Sequence, residues 1–259
     1  MSIEQTEMQK VNVLWTGGYD SSFRIVELSK KNVIIQPYYL SDNRASEEHE
    51  LSAISRITSD VLNHPETKCI ILPLLIFKTS EIRPDQDITN SYKAIRKVVP
   101  IGSQYDWLAR FAKEHNIDNL ELTIEKAESN KALMALESYG TELKYIEEKS
   151  ISFYEIDKDS DYHIENIFGR FHLPAKTFNL SKSEMIKEYK ELGFEQTMLK
   201  TWFCHRPIRN KPCGVCNPCK STLSEGMDFR FPKSSLVRNK FSKLYNTRGV
   251  SKLLRLFDR

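Results

Sequence analysis

The sequence predicts an α/β protein, a parallel sheet covered by helices, with a cysteine-rich region towards the C-terminal end. Three observations carry that prediction. Short apolar runs alternate with longer amphipathic segments, the pattern of strands followed by covering helices. A glycine corner, Thr16-Gly17-Gly18-Tyr19-Asp20-Ser21-Ser22, follows the first apolar run directly. Four of the five cysteines crowd into residues 204–219.

Taken in order, residues 11–14 read as a short buried strand and 20–30 as the helix after the glycine turn. Residues 33–40 are a second strand and 47–62 a second helix. The apolar run 69–77 is a third strand, 105–114 a helix and 120–124 a fourth strand. Residues 171–178 read as a late strand. The segment 181–192 opens on Ser181 with Glu184 three residues on, a capping-box start, and stops at Gly193. Asp157, Asp159 and Asp161 imitate the start of a calcium loop, but Tyr162 stands where the glycine is needed and Phe168 where the closing glutamate is needed. A solvated acidic loop is the reading there.

Bulk properties narrow the class. A length of 259 residues fits one large domain or one domain with an appendage. With 40% hydrophobic and 28% charged residues, the composition is that of an ordinary water-soluble protein. The longest apolar run is broken by Pro73 and is too short to cross a membrane. No charged-then-apolar leader precedes Val11, so a cytoplasmic location is expected, and the cysteine cluster reads as a metal site before a disulfide set. A net charge of +3 is too small to imply a nucleic-acid partner by itself, and none is expected. The excess is local: residues 226–259 hold nine Lys/Arg against two Asp. Val250, Leu253, Leu254 and Phe257 fall at helical spacing there, as on a C-terminal helix docked on the domain or on a second subunit of a homodimer, with a binding surface for an acidic partner or nucleic acid as the alternative. The expected organisation is therefore an α/β domain over 1–195, a metal-binding region over 196–226 and a basic helical extension over 227–259.

The glycine corner carries the first chemistry. A strand, a glycine turn and a helix N-terminus aim several free N–H groups at one point, which suits a phosphate. Gly17 and Gly18 let the backbone close on an anion, and the Ser21 and Ser22 hydroxyls can add bonds. The stretch lacks the Gly-Lys-Ser/Thr of a Walker loop and the third glycine of a dinucleotide fingerprint. The second chemistry lies in Cys204, Cys213, Cys216 and Cys219, spaced C-x8-C-x2-C-x2-C. Four thiolates with no open position describe a closed tetrahedral Zn²⁺ site, with an iron–sulfur cluster as the rival. His205, next to Cys204, would be strained as a fifth ligand and reads as exposed or substrate-facing. Cys69, on an apolar run, reads as a packed core thiol.

Residues 16–21 resemble the Ser-Gly-Gly-x-Asp-Ser loop of the PP-loop ATP pyrophosphatases, with Thr16 for the first serine. Together with the cysteine spacing, the chain resembles the 7-cyano-7-deazaguanine synthase (QueC-like) family over roughly residues 11–226. "NLSKSEMI" is similar to the family's Thr/Ser-Lys-x-Glu-Ile segment, which implies Lys182 near the phosphates with Glu184 beside it. "TWFCH" is similar to Thr-Trp-Ser-Cys-Tyr, and "CGVCNPC" matches the family's zinc loop. On the substrate side the chain departs. Of the family's Asp-Tyr-Gly-Gln-Arg-His only Arg44, with Asn43 as a shorter amide, carries over, and Pro-Gly-Arg-Asn is reduced to an amide at Gln104.

The resemblance implies an ATP pyrophosphatase fold, with 16–18, Asp20, Ser21, Ser22 and Lys182 holding ATP. Asp20 would contact Mg²⁺, unless it serves only as a helix cap. The implied reaction adenylates the carboxylate of 7-carboxy-7-deazaguanine and forms a carbon–nitrogen bond, giving the amide or the nitrile, with Asp20, Ser21 and Lys182 catalytic and Asn43, Arg44 and Gln104 towards the deazapurine. The drifted substrate side suits a diverged paralogue. Two alternatives stay open: a QueC-like relative that joins the base to a protein amine, as in anti-phage defence, and a non-catalytic zinc module that binds nucleic acid. A tRNA sulfur-transferase would need a free catalytic cysteine, and only Cys69 is spare.

Overall fold

The structure is a computed structural model, which describes residues 8–126 and 130–242. Its strands are β1 (Gln9–Leu14), β2 (Val33–Ser41), β3 (Ile70–Ile71), β4 (Leu75–Lys78), β5 (Leu120–Glu121), β6 (Leu143–Glu148), β7 (Ile151–Ile156) and β8 (Phe171–Pro174). They form one sheet in the order β3-β2-β1-β5-β8-β7-β6, with β4 also on β2. From β3 and β4 through β8 the pairing is parallel, and β8-β7-β6 is antiparallel. The α/β class is thus as expected, and the antiparallel edge is an addition to it.

The helices are α1 (Tyr19–Ser29), α2 (Glu47–Asn63), α3 (Gln86–Val98), α4 (Gln104–Glu114), α5 (Lys131–Ser138), α6 (Tyr162–Phe168), α7 (Ala175–Asn179), α8 (Lys182–Glu191), α9 (Glu195–Met198), α10 (Asn217–Ser224) and α11 (Lys233–Lys240). Two apolar clusters bury the sheet. One joins α3, α4, α5 and α6 residues such as Ile95, Phe111, Ala135 and Ile167; the other joins α1, α2 and α8 residues such as Phe23, Ile57 and Met185. Among the described residues, no helix is long and apolar enough to cross a membrane.

Several expected elements change. The third strand splits at 72–74, where Pro73 cannot supply an N–H to the ladder, and β3 and β4 both lie on β2. The fourth strand is only Leu120–Glu121. The late strand ends at Pro174, and its second half is the short helix α7. Cys69 is a buried core thiol, and burial pushes its pKa up to about 11. Asp157 pairs with Lys144 at 2.6 Å and Asp161 caps α6 at 2.8 Å from the His163 N–H, so the acidic loop is a structural one. The apolar stripe at Val250, Leu253, Leu254 and Phe257 lies outside the described residues.

The order of strands fixes where a ligand goes. From β1 the chain runs outward to β2, β3 and β4, then returns to the other side of β1 with β5 and β8. Connections leave β1 and β5 in opposite directions, which opens a crevice beyond their carboxyl ends. The glycine corner stands at that point. Arg24 locks its foundation: fully buried, it bonds Glu27 at 2.6 Å and Glu121 of β5 at 2.5 and 2.8 Å. Its charge is met on both sides, as a buried guanidinium requires.

Candidate active site

Gly17 has φ +67, and a Cβ there would sit 2.6 Å from the Glu50 carbonyl of α2. Glycine alone allows the loop this close to that helix. Helix α1 then starts at Tyr19 with Gly18 as N-cap and no side chain capping it. The first N–H groups of α1 therefore face the crevice uncapped.

The cleft over this point comprises two adjoining cavities of about 250 and 390 Å³. Thr16, Gly18, Tyr19, Asp20, Arg44 and Gln104 line both. The smaller is closed by Ser21, Tyr105, Trp107, Leu122 and Ile124, a largely apolar slot between α4 and the end of β5. The larger adds Glu125, Lys182, Trp202, His205, Glu225 and Arg230. Residues separated by more than 160 positions, Asp20 and Lys182, are joined there by an ion pair.

Lys182 is placed by the capping box at the head of α8. Glu184 accepts from the Ser181 N–H at 2.8 Å, and the Ser181 hydroxyl accepts from the Glu184 N–H at 3.4 Å. The stem of Lys182 is buried, its ammonium lies 3.7 Å from Glu125 and 5.5 Å from the Tyr19 ring centre. Burial raises the Glu125 carboxyl above its usual range and Asp20 adds to the rise, against the lowering pull of Lys182.

Sequence-predicted residues divide clearly. Thr16, Gly18, Asp20, Ser21, Lys182, Arg44 and Gln104 meet at the cleft, and His205 is exposed at its rim. Gly17 supports the loop from behind. Ser22 does not face the cleft: it is wholly buried and its hydroxyl accepts the Trp15 indole N–H at 3.0 Å. One residue of helix rotates Ser22 about 100° from Ser21 and into the core. Asn43 is also out of place, exposed at φ +57 in a turn and outside both cavities. Its side chain serves a left-handed backbone position, which asparagine tolerates.

The four cysteines converge. Sγ separations are 3.4 Å for Cys216–Cys219, 3.8 Å for Cys213–Cys219 and 3.9 Å for Cys204–Cys216, and all four sulfurs lie within 4.8 Å of one another. Tetrahedral metal–thiolate bonds of about 2.3 Å set sulfurs about 3.8 Å apart, so this set could hold one metal ion. N–H groups of Cys213, Val215 and Cys216 point at sulfurs at 3.1–3.4 Å, as suits thiolates. Residues 227–242 pack back on this knuckle: Arg238 donates to the Cys213 carbonyl at 2.9 Å, and Gly214, at φ +82, lies against the Ser235 carbonyl with no room for a Cβ.

Sequence reasoning missed Tyr19, Trp107, Glu125, Glu225 and Arg230. Only the basic excess beyond residue 226 hinted at Arg230, and nothing in that excess picks it out.

The sequence matches no family model, and no curated protein matches it. A solved structure of a 4-thiouridine synthetase–RNA complex with bound ATP overlaps it at a TM-score of 0.36 and 14% identity. The overlap covers 90% of this chain and 53% of that one, so the chain spans about half the synthetase's length.

Proposed function

We propose that this chain is an ATP-dependent adenylating ligase of the PP-loop type, splitting ATP to AMP and pyrophosphate and forming a carbon–nitrogen bond. One observation carries the reading. The uncapped N-terminus of α1, the Asp20–Lys182 pair and the Thr16 and Ser21 hydroxyls converge on one cleft at the reversal of strand order. A Walker lysine is absent from the loop, and the lysine that is present comes from α8.

The carboxylate of a 7-deazaguanine base, 7-carboxy-7-deazaguanine, is the substrate this reading assigns. A carboxylate is a poor electrophile until its oxygen is made a leaving group, which adenylation achieves. Backbone N–H groups and Lys182 would stabilise charge on the departing pyrophosphate. Asp20, with Glu125 beyond Lys182, offers the carboxylates that would hold Mg²⁺, an ion that neutralises phosphate charge. The apolar slot beside Tyr105 and Trp107 suits a planar base, with Arg44 and Gln104 at its edge. Zn²⁺ is the ion the four thiolates suit best, in a structural role.

The cleft opens past Arg44 and Gln104 onto a mouth lined by Asp42, Trp107, His205 and Arg206. That opening favours, as a second reading, an acceptor amine larger than ammonia, such as one on a protein. Incubation with ATP, Mg²⁺, 7-carboxy-7-deazaguanine and ammonia, followed by mass spectrometry, tests the function. AMP and an amidated base support it; ADP, or no nucleotide turnover, rejects it.

A further inference from the structure

Arg230 has more charge than its surroundings answer. It ends a short 3-10 turn, Asp228–Arg230, and lines the larger cavity. Its Nη2 donates to the Thr201 carbonyl at 2.7 Å and to the Thr201 hydroxyl at 2.6 Å. Its Nη1 is buried and has no hydrogen-bond partner among the described residues. The guanidinium carbon lies 4.6 Å from the ring centre of Phe203 and 5.5 Å from that of Tyr19. Burial pulls its pKa down to about 10, which leaves it charged at neutral pH.

This differs from the buried Arg24, whose charge is met by two carboxylates at bonding distance. Around Arg230 the nearest carboxylates, Glu225 and Asp20, act only at a distance, and each is engaged elsewhere: Glu225 with the Ser221 hydroxyl at 2.6 Å, Asp20 with Lys182. A half-buried guanidinium with no carboxylate at bonding distance among the described residues and one nitrogen unpartnered is costly unless an anion completes it.

Its position says which anion. Arg230 and Lys182 stand at the same distance, 5.5 Å, from the Tyr19 ring, and Tyr19 is the first residue of α1. Two cations and a helix N-terminus around one point suit an anion of several charges. Arg44 and Gln104, by contrast, also line the smaller slot, which neither Lys182 nor Arg230 reaches.

We propose that Arg230 is a phosphate-binding residue whose guanidinium, with Lys182 and the first N–H groups of α1, grips the pyrophosphate end of the nucleotide. The proposal rests on the ATP-cleaving reading above. Thr201 positions the guanidinium, and Phe203, next to the first cysteine of the cluster, packs against it.

The test is calorimetric titration of the metal-loaded full chain with inorganic pyrophosphate, for the parent protein, Arg230→Met and Arg230→Lys. Arg230→Met keeps the stem and removes the charge, and should weaken pyrophosphate binding about tenfold to a hundredfold. Arg230→Lys should fall between the two, with metal content and melting temperature near those of the parent. If Arg230→Met does not fold, Arg230→Lys decides: unchanged affinity overturns the proposal, weakened affinity supports it. If both variants bind pyrophosphate as the parent does, or lose only 7-carboxy-7-deazaguanine, the assignment to phosphate is wrong while the ligase reading stands. A parent chain that neither binds pyrophosphate nor forms AMP overturns both.

Discussion

The backbone N–H of Trp202 donates to the carbonyl of Gly17 at 2.8 Å. Two residues further on, Cys204 is the first of the four thiolates, and the Trp202 indole N–H closes on the Cys204 carbonyl at 2.7 Å. The cysteine knuckle and the glycine loop are therefore one mechanical unit. His49 of α2, stacked on Trp202 at 4.3 Å, joins the same unit.

Gly17→Ala should disturb this unit most. The side chain would need φ +67 and would meet the Glu50 carbonyl at 2.6 Å. We expect a loss of about 2 kcal/mol or more in stability, together with reduced AMP formation. Thermal melting and a nucleotide assay check both; an unchanged melting temperature would show that the loop relaxes freely.

Metal removal should act on nucleotide binding as well as on folding. The purified chain is expected to carry one zinc per protomer. Cys216→Ser should lower metal content, melting temperature and ATP affinity together, because metal binding energy is folding energy in such a knuckle. Elemental analysis decides: no metal, or iron with a visible chromophore, contradicts it.

Ser21 and Ser22 should give opposite phenotypes. Ser21 has only long bonds, 3.4 Å to Thr16 Oγ1 and 3.4 Å to the Gly18 carbonyl, so its hydroxyl is free for a ligand. Ser21→Ala should slow AMP formation about a hundredfold with little change in stability, whereas Asp20→Ala should slow it similarly and also lower stability by leaving the buried Lys182 ammonium without its ion-pair partner. Ser22→Ala should cost about 1–3 kcal/mol by stranding the buried Trp15 N–H. Steady-state rates and melting curves on the three variants read this out, and a Ser22→Ala enzyme that is stable but inactive would contradict it.

His172 should shape the acid limb of stability. It is stacked on Phe153 at 3.8 Å, and burial lowers its pKa from 6.5 to about 4. The unfolded chain therefore takes up this proton first, so the neutral ring's contribution is complete above pH 6.5 and is lost as pH falls towards 4. Glu155, whose carboxylate lies 3.6 Å from Nε2, meets part of the charge when the ring is protonated, so the loss is at most on the order of 3 kcal/mol. His172→Phe, which keeps the stack, should flatten that limb in denaturant titrations across pH; an identical acid limb would mean that other groups set it.

The product is expected to be the amide before the nitrile. Nitrile formation requires the amide to be held and activated a second time, and the side of the cleft that would hold it retains only Arg44 and Gln104. With ammonia in excess, the amide should accumulate and 7-cyano-7-deazaguanine should form slowly or not at all. Rapid conversion to the nitrile without amide build-up would show that the altered segments leave the chemistry intact.

What was legible in the sequence is what local physics determines. The run 16–21 specifies a strand–turn–helix corner because glycines before a helix start are a local signal, although the approach of α2 that demands glycine at 17 is tertiary. Ser181 and Glu184 specify their own capping box, and two-residue gaps between cysteines bring thiolates together within one turn. The alternation of apolar runs with amphipathic segments indicated the parallel sheet because parallel strands need helical crossovers between them. Tertiary structure decided what depends on facing. Ser22 turned inward because Trp15 needed an acceptor, and Asn43 left the cleft because its backbone adopted a left-handed turn. The second half of 171–178 became a helix, and the β6–β7 hairpin closed the far edge. Arg230 is the clearest case: nothing near it in sequence distinguishes it from other basic residues of the C-terminal segment. Only the folded chain sets it against Phe203 and Tyr19 and beside Lys182 in the larger cavity.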